Sequence, residues 1–434
     1  MLSSLLSRWS AAAVVLLALL GLSPVPATAT AADEAPAQRL DDNCGWTEPN
    51  GNTAYPETHA RYFRLALPRN NRTRGLRLRI DGAYLASRYF SYQLYGGTFD
   101  AIDALADYQI QPNPGSQSPL AGITRIDPAV SPGGQYTVYV VFADKPAKPA
   151  PNTLYAGDLR LPFGRNYLFL RAYLSTGLVP LPRIRYQQDD GSPAPDGLFE
   201  RSACNDGAPP ASLNDGGPDG NKGTEAPAAG AKAAPAGAGL LAGSTGRDIR
   251  FEVYQPRRAL GGGVVYNQNA GFMSAKIERR DELVLVRFRA PSVPGRHGAV
   301  VPDVRYWSLC QNRHLLQTVI ACVADQDAAI DASGYFHAVV GDLAGRPLGA
   351  DAQHGFSYLP SAGLLDNGLL IVRQLLADPD FPGAINAVPP DADPQTVLGD
   401  YNPQATSCPR ALFSARIRAG DRAAQIFAAC RAAR

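Results

Sequence analysis

In the stretch GLRLRIDG, from Gly75 to Gly82, Leu76, Leu78 and Ile80 alternate with Arg77, Arg79 and Asp81. A period of two puts the apolar residues on one face of an extended chain and predicts a β-strand with one side buried. YTVYVVFA (Tyr136 to Ala143) and NYLFLRAYL (Asn166 to Leu174) are also strand-like, and Pro- and Gly-rich loops separate them. Farther along come DIRFEVYQ, GFMSAKIE, ELVLVRFRAP, VRYWSLCQ, QTVIACVAD and YFHAVVGD, each short and bounded by turn residues. Strands at this spacing predict antiparallel β-sandwiches or jelly rolls, not a parallel α/β sheet. Two regions read as helical: Leu364 to Leu376, whose periodicity is ambiguous, and the Ala/Arg-rich segment Pro409 to Ala433.

The order of these elements repeats. An alternating strand, Leu76 to Ile80, leads to Arg88-Tyr89-Phe90-Ser91, then Ala106-Asp107, then Tyr136-Thr137-Val138, then Asn166 to Arg171. In the second half Leu283 to Val286 leads to Arg305-Tyr306-Trp307-Ser308, then Ala324-Asp325, then Tyr335-Phe336-His337, then Asn367 to Arg373. The Arg-to-Asp steps nearly match, and two copies of one β-domain explain the echo. Between them, residues 205–245 are almost without aromatic or β-branched residues, too little apolar area to offset the entropy of ordering. The expected organisation is a segment 1–31 to be removed, a first β-sandwich over 33–204, a disordered linker over 205–245, a second β-sandwich over 246–400, and a helical tail over 401–434.

The segment to be removed carries Arg8, an apolar run from Ala11 to Leu22 and small residues at Ala27-Thr28-Ala29, the build of a secretory signal peptide. No later apolar stretch reaches the ~18 residues that a membrane helix needs. The Ala/Pro/Gly/Arg bias points to a GC-rich bacterial genome, so the expected destination is the periplasm or the medium. With 41 basic against 39 acidic residues there is no strong field for nucleic acid or an acidic membrane surface. Six Cys in an exported chain imply structural disulfides, and position along the chain pairs Cys44 with Cys204, Cys310 with Cys322, and Cys408 with Cys430. No CxxC motif supports a redox role.

Several words of the first half resemble an exported bacterial family of unknown function: Tyr55-Pro56 to Arg61-Tyr62, Arg88-Tyr89-Phe90-Ser91, Asp103 to Tyr108, Pro112 to Ser116, Asn152-Thr153-Leu154-Tyr155 and Leu181-Pro182-Arg183. Each half is also distantly similar to the DUF1214-type β-domain, through Tyr306-Trp307-Ser308 and Leu170-Arg171-Ala172-Tyr173. The resemblance implies a β-fold and export; it brings no activity, because the family has none established.

Catalytic signatures are missing from the sequence. There is no G-x-S-x-G nucleophile elbow, and His59, His297, His314, His337 and His354 lack HxH or HExxH spacing. Gly237-Ala-Gly239-Leu-Leu-Ala242 fits a dinucleotide fingerprint only in letters, because it lies in the linker with no strand before it. Asp325, Asp327 and Asp331 offer oxygen ligands to a hard cation but follow no EF-hand register, and Asp189-Asp190 and Asp378-Pro-Asp380 read as turns. Asn71-Arg72-Thr73 is a glycosylation acceptor by pattern alone. No catalytic residue, metal site or cofactor is assigned from the sequence.

The repeated Arg residues are the sharper signal. Arg171 and Arg373 sit inside otherwise apolar strands, where a guanidinium must find solvent, a buried acid or a ligand. One expectation is a structural pairing within each half, Arg88 with Asp107 and Arg305 with Asp325. The other is a ligand surface formed by Arg88, Tyr89, Asp107, Arg171, Arg305, Tyr306, Trp307, Asp325 and Arg373, which would hold a small or glycan-like ligand through bidentate and aromatic contacts. The functional expectation is a non-enzymatic exported binding protein. Its alternatives are a secreted hydrolase that acts on a polymer through carboxylates, and a purely structural or assembly role.

Overall fold

The first half folds into two four-stranded sheets because its strands carry two kinds of burial pattern. β2 (Leu76–Ala83) alternates buried and half-buried positions along its whole length, as its sequence predicts. β3 (Tyr89–Tyr95) is buried at every position, so both of its faces must be covered. The remaining strands are β1 (Ala60–Ala66), β4 (Ala101–Ala106), β5 (Gln135–Val141), β6 (Thr153–Tyr155), β7 (Tyr167–Tyr173) and β8 (Arg183–Gln188). They hydrogen-bond in the orders β1-β7-β3-β4 and β6-β5-β2-β8. Phe63, Leu78, Ile80, Phe90, Tyr92, Val138 and Leu170, drawn from both sheets, fall in one buried apolar cluster.

The second half comprises β9 (Asp248–Arg250), β10 (Glu252–Val253), β11 (Ala270–Ile277), β12 (Leu283–Arg289), β13 (Val304–Arg313), β14 (Val319–Ala324), β15 (Tyr335–Gly341), β16 (Ser357–Pro360), β17 (Gly368–Ala377) and β18 (Gln404–Cys408), with helices α1 (Pro394–Leu398), α2 (Arg410–Arg418) and α3 (Ala423–Ala432). Its sheets run β10-β11-β17-β13-β14 and β16-β15-β12-β18-β9. With β1–β8 set against β11–β18, the strand orders of the two halves coincide, and β9 and β10 extend the second set. Even the parallel pairs correspond: β5 with β6 and β15 with β16, every other named pairing being antiparallel.

This computed structural model describes residues 45–194 and 248–433, apart from short stretches at 50–51, 53, 68–74, 98, 158–165, 255–264, 279–280, 296–300, 343–344 and 364–365. The fold is mostly β, with three short α-helices among the described residues. The described residues fall in one compact unit. The signal segment, the linker with its glycine motif, the Asn71 acceptor and the Cys44–Cys204 pairing lie outside the described residues. Among the described residues no helix is long and apolar enough to cross a membrane.

Two expectations need correction. The segment Leu364 to Leu376 is not helical where it is described: Gly368–Ala377 is β17, hydrogen-bonded between β11 and β13. Nine of its ten positions are buried, and a strand covered on both faces loses the alternation that identifies strands. Nor is the segment after Asp400 a helical tail alone. β18 pairs with β12 and β9 inside a sheet, and two helices follow it instead of one.

Those helices cover the outer face of that sheet. Leu283, Leu285, Val339 and Phe356 pack with Phe413, Ile426 and Phe427 in a separate apolar cluster. Cys408, at the end of β18, is bonded to Cys430 in α3, and Cys310 to Cys322, as expected from position. We predict that replacing both Cys408 and Cys430 with Ala lowers unfolding stability by about 3 kcal/mol, the chain-entropy value for a loop of this size. Urea unfolding of the double variant measures this, and an unchanged midpoint contradicts it.

Candidate functional site

Alternation along β3 and β13 sorts their side chains between two environments. Phe90, Tyr92 and Leu94 enter the core of the first half, and Trp307 and Leu309 that of the second. The opposite faces, with Tyr89, Ser91, Gln93 and Tyr95 on one strand and Tyr306, Ser308 and Cys310 on the other, meet at a seam between the halves. Tyr89, Ala106 and Tyr173 cluster there with Ala270, Tyr306, Ala324 and Leu375, so each half supplies one wall. The Tyr173 and Tyr306 rings meet edge to face at 5.3 Å.

The charged residues of the seam are paired across it. Arg88 Nη1 lies 3.0 Å from Asp325 Oδ1, and Arg305 Nη1 lies 3.2 Å from Asp107 Oδ2. The expected pairing within each half is thus wrong: each guanidinium takes the carboxylate of the other half. Its physical reason is visible at the carboxylates. Asp107 and Asp325 open the 3-10 turns that follow β4 and β14. From there Asp107 Oδ2 accepts the Phe90 amide of its own half at 3.1 Å, and Asp325 Oδ2 accepts the Trp307 amide at 3.2 Å. Each acid fastens the start of its own strand and presents its charge across the seam.

The in-strand arginines repeat the exchange. Arg171 faces Ser91 and Tyr62 in the sheet register, and Arg373 faces Ser308 and Phe272. Arg171 donates from Nη1 to Gln93 Oε1 at 2.8 Å and from Nη2 across the seam to the Val265 carbonyl at 2.7 Å. Arg373 donates from Nη1 to Glu57 of the first half and from Nη2 to the Tyr55 carbonyl at 3.3 Å. In both side chains Nε has no hydrogen-bond partner among the described residues. The site residues expected from the sequence therefore come together at the seam, with the exception of Trp307. That side chain faces the core, where Nε1 donates to the Pro291 carbonyl at 3.0 Å and the ring packs on Phe288 and Phe336.

Glu57 is the residue that sequence reasoning missed. It lies in a loop, where an acid normally faces water, yet it is 2 % exposed. Its Oε2 accepts Ser308 Oγ at 2.6 Å, and its Oε1 lies 3.2 Å from His59 Nδ1. His59 Nε2 in turn lies 3.6 Å from Asp327 of the other half. The only hint was the placement of Glu57 inside the Tyr55-Pro56 to Arg61-Tyr62 motif. Burial opposes the charge on Glu57, but Arg373, His59 and Ser308 together hold its carboxyl below the ordinary value. The bond to Glu57 raises the His59 imidazole.

Ser308, Glu57 and His59 do not make a nucleophilic triad. The carboxylate sits between the hydroxyl and the imidazole, whereas a base must touch the nucleophile it deprotonates. The other acids have separate duties. Asp331 Oδ2 meets the buried His337 at 2.8 Å, Asp190 Oδ1 accepts the Ser192 amide, and Asp378 Oδ1 accepts the Asp380 amide.

The two copies of the exchange differ in cover. After its 3-10 turn the first half runs through residues 110–134 before β5, while the second needs only 328–334 before β15. The longer loop folds over Arg305, which donates to the carbonyls of Gly122 and Ile123 and is fully buried. The Arg88 side chain stays 17 % exposed. Under the same loop lies a cavity of about 260 Å³, walled by Leu85, Phe90, Leu120 and Ile126 and reaching Asp107 and Ser131.

No protein-family model matches the chain, and no curated protein matches it. Among solved structures it is similar to an uncharacterised protein from Burkholderia cenocepacia, with 14% identity and a TM-score of 0.48, over 86% of this chain and 83% of that one. It is also similar to the VPA0106 protein from Vibrio parahaemolyticus, with 11% identity and a TM-score of 0.38, over 82% and 90% of the respective chains.

Two predictions concern the seam. Arg305→Met strands the Asp107 carboxylate in a dry site and is expected to cost about 3–5 kcal/mol, against about 1–2 kcal/mol for Arg88→Met, whose partner gains access to water. Comparable losses in chemical denaturation contradict the asymmetry. The second is a pH profile. A raised His59 value stabilises fully below the unfolded imidazole value of ~6.5, and this contribution fades as pH rises through the folded value. A lowered Glu57 value stabilises above ~4.3 and fades as pH falls. His59→Gln is expected to flatten the alkaline limb of the melting-temperature profile; an identical limb in the variant overturns the assignment.

Proposed function

We propose that this is an exported, non-enzymatic protein, built from two copies of a jelly-roll-like β-sandwich, that binds a small hydroxylated ligand in the cavity beneath residues 110–134. The matching strand orders of the halves support the duplication, and a single apolar cluster fed by both first-half sheets supports the sandwich. The paired disulfide cysteines accord with an oxidising compartment, as export to the periplasm or medium requires.

The observation that carries the binding role is the cavity. Its apolar walls suit the C–H face of a sugar or similar polyol, and Asp127, Ser87 and Ser131 supply acceptors for hydroxyl groups. At about 260 Å³ it lies just below the ~300–1,000 Å³ of drug-sized sites, which limits the occupant to about the size of a monosaccharide. The seam guanidiniums, in contrast, are engaged by protein groups and act as a scaffold behind the cavity. A polymer hydrolase requires two titratable groups converging on an open cleft. Here Asp107 and Glu57 are each tied to a guanidinium.

A thermal-shift screen of the mature, oxidised protein against monosaccharides, polyols and organic acids tests the proposal. At a concentration 100-fold above Kd a ligand selective for the native state adds about 2.7 kcal/mol of stability. A sugar or polyol is expected to raise the melting temperature of the parent protein and not of Leu120→Trp, which fills the cavity. If no sugar or polyol shifts the parent protein, or if both proteins shift equally, the binding role is rejected.

A further inference from the structure

The cavity beneath residues 110–134 has a one-sided supply of hydrogen-bonding groups. Three of its wall residues, Pro119, Pro128 and Pro132, have no backbone N–H. Four other wall amides are spent inside the protein. Phe90 donates to Asp107 Oδ2 at 3.1 Å, and Leu120 to Ser118 Oγ at 3.2 Å. Asp127 donates to the Pro119 carbonyl at 2.7 Å, and Val130 to the Asp127 carbonyl at 3.2 Å. Few donors are therefore left for a ligand.

No Lys, Arg or His makes up for them among the described lining residues. Arg305 is close by but fully buried, and its hydrogen bonds go to Gly122, Ile123 and Asp107. Arg125 is exposed on the same loop but is not part of the wall. The two acids of the wall differ. Asp107 is 1 % exposed, and the Phe90 and Tyr108 amides together with Arg305 occupy its oxygens. Asp127 is half-buried, and its Oδ1 accepts the Ala129 amide at 2.9 Å, which fixes the side chain in its turn. A carboxylate offers about four lone-pair positions, so this bond leaves it able to accept more. Because Arg305 offsets the charge of Asp107, Asp127 sets the sign of the cavity.

We infer that the site selects an aminated sugar or polyol, with a protonated amine beside a hydroxyl group. The inference rests on the binding role proposed above and names the class of ligand. The ammonium group donates to Asp127, the neighbouring hydroxyl meets the exposed Ser131, and the C–H face rests on Leu120 and Ile126. A neutral sugar can use the same acceptors, but a charge-assisted hydrogen bond is roughly twice as strong as a neutral one. A sugar acid is disfavoured on two counts: its carboxylate is repelled by Asp127 and finds few free donors.

Titration calorimetry of the mature, oxidised protein at pH 6, where the amine carries its proton, tests this. It compares glucose with glucosamine and galactose with galactosamine, and uses glucuronate as the anionic control. In at least one pair the aminated sugar is expected to bind about threefold to fivefold more tightly than its neutral partner, the range of a partly exposed ion pair, with glucuronate weaker than glucose. Asp127→Asn keeps the Oδ1 acceptor for Ala129 and is expected to bring the aminated sugar down to its partner's affinity, with the neutral sugar unchanged. If neutral and aminated sugars bind alike and Leu120→Trp abolishes both, the amine preference is overturned and the binding role stands. Failure of every aminated sugar to bind at up to about 10 mM also overturns the inference, whereas the binding role falls only if the wider screen is empty too. A preference that survives Asp127→Asn, or aminated-sugar binding that survives Leu120→Trp, places the contact elsewhere and overturns it as well.

Discussion

The guanidinium groups buried between the two halves are the constraint from which the rest of the structure follows. Taking a charge out of water costs several kcal/mol unless an opposite charge and further hydrogen bonds meet it. Arg305 and Arg373 are both under a tenth exposed, and their carboxylates, Asp107 and Glu57, belong to the other half. Neither half can satisfy these groups alone. The twofold repetition of the exchange, Arg88 with Asp325 and Arg305 with Asp107, makes the halves mutually dependent, which is why their described residues fall in one unit despite two separate apolar cores.

The same constraint explains the difference between the halves. A repeated exchange alone would leave Arg88 and Arg305 equally covered. Residues 110–134 break that equivalence by folding over Arg305 and accepting its hydrogen bonds at Gly122 and Ile123. A loop held by a buried cation has a fixed inner surface, and the cavity beside Asp107 lies against that surface. In the second half, 328–334 is too short to provide such a cover, and its cavity forms elsewhere, between β9, β18 and the C-terminal helices. The two strand frameworks thus carry different additions, and each addition has its own recess.

The sequence made legible whatever depends on one face of one strand. Alternation identified β2, strand-like composition pointed to β5 and β12, and the nearly matching Arg-to-Asp steps located both carboxylates of the seam. What stayed hidden depends on contacts with a second surface. β17 lost its alternation because it is covered on both faces, and so its residues read ambiguously as helix. The pairing of Arg88 with Asp325 was degenerate in the sequence: nearly equal steps in the two halves are compatible with partners inside a half or across halves, and only the approach of the two sheets decides. Glu57 was the hardest to see, because its burial results from two strands of the other half closing over its loop, with Ser308 on β13 and Arg373 on β17 arriving from more than two hundred residues away.

Stability alone does not explain a polar seam. Replacing a buried ion pair by well-packed apolar residues is often neutral or stabilising, so an apolar seam of Leu and Val would hold the halves at least as firmly. It would do so without direction, because one flat apolar sheet face packs on another in many offsets. The charged seam has no such freedom. Sliding one sheet along the other parts Arg88 from Asp325 and Arg305 from Asp107 together, and removes Glu57 from Arg373 in the same movement. Each displaced offset therefore leaves several uncompensated buried charges, while the observed one leaves only the two Nε groups of Arg171 and Arg373 short of a partner among the seam arginines. The charges fix the register between the halves, and the loop over Arg305, which rests on both of them, inherits its position from that register.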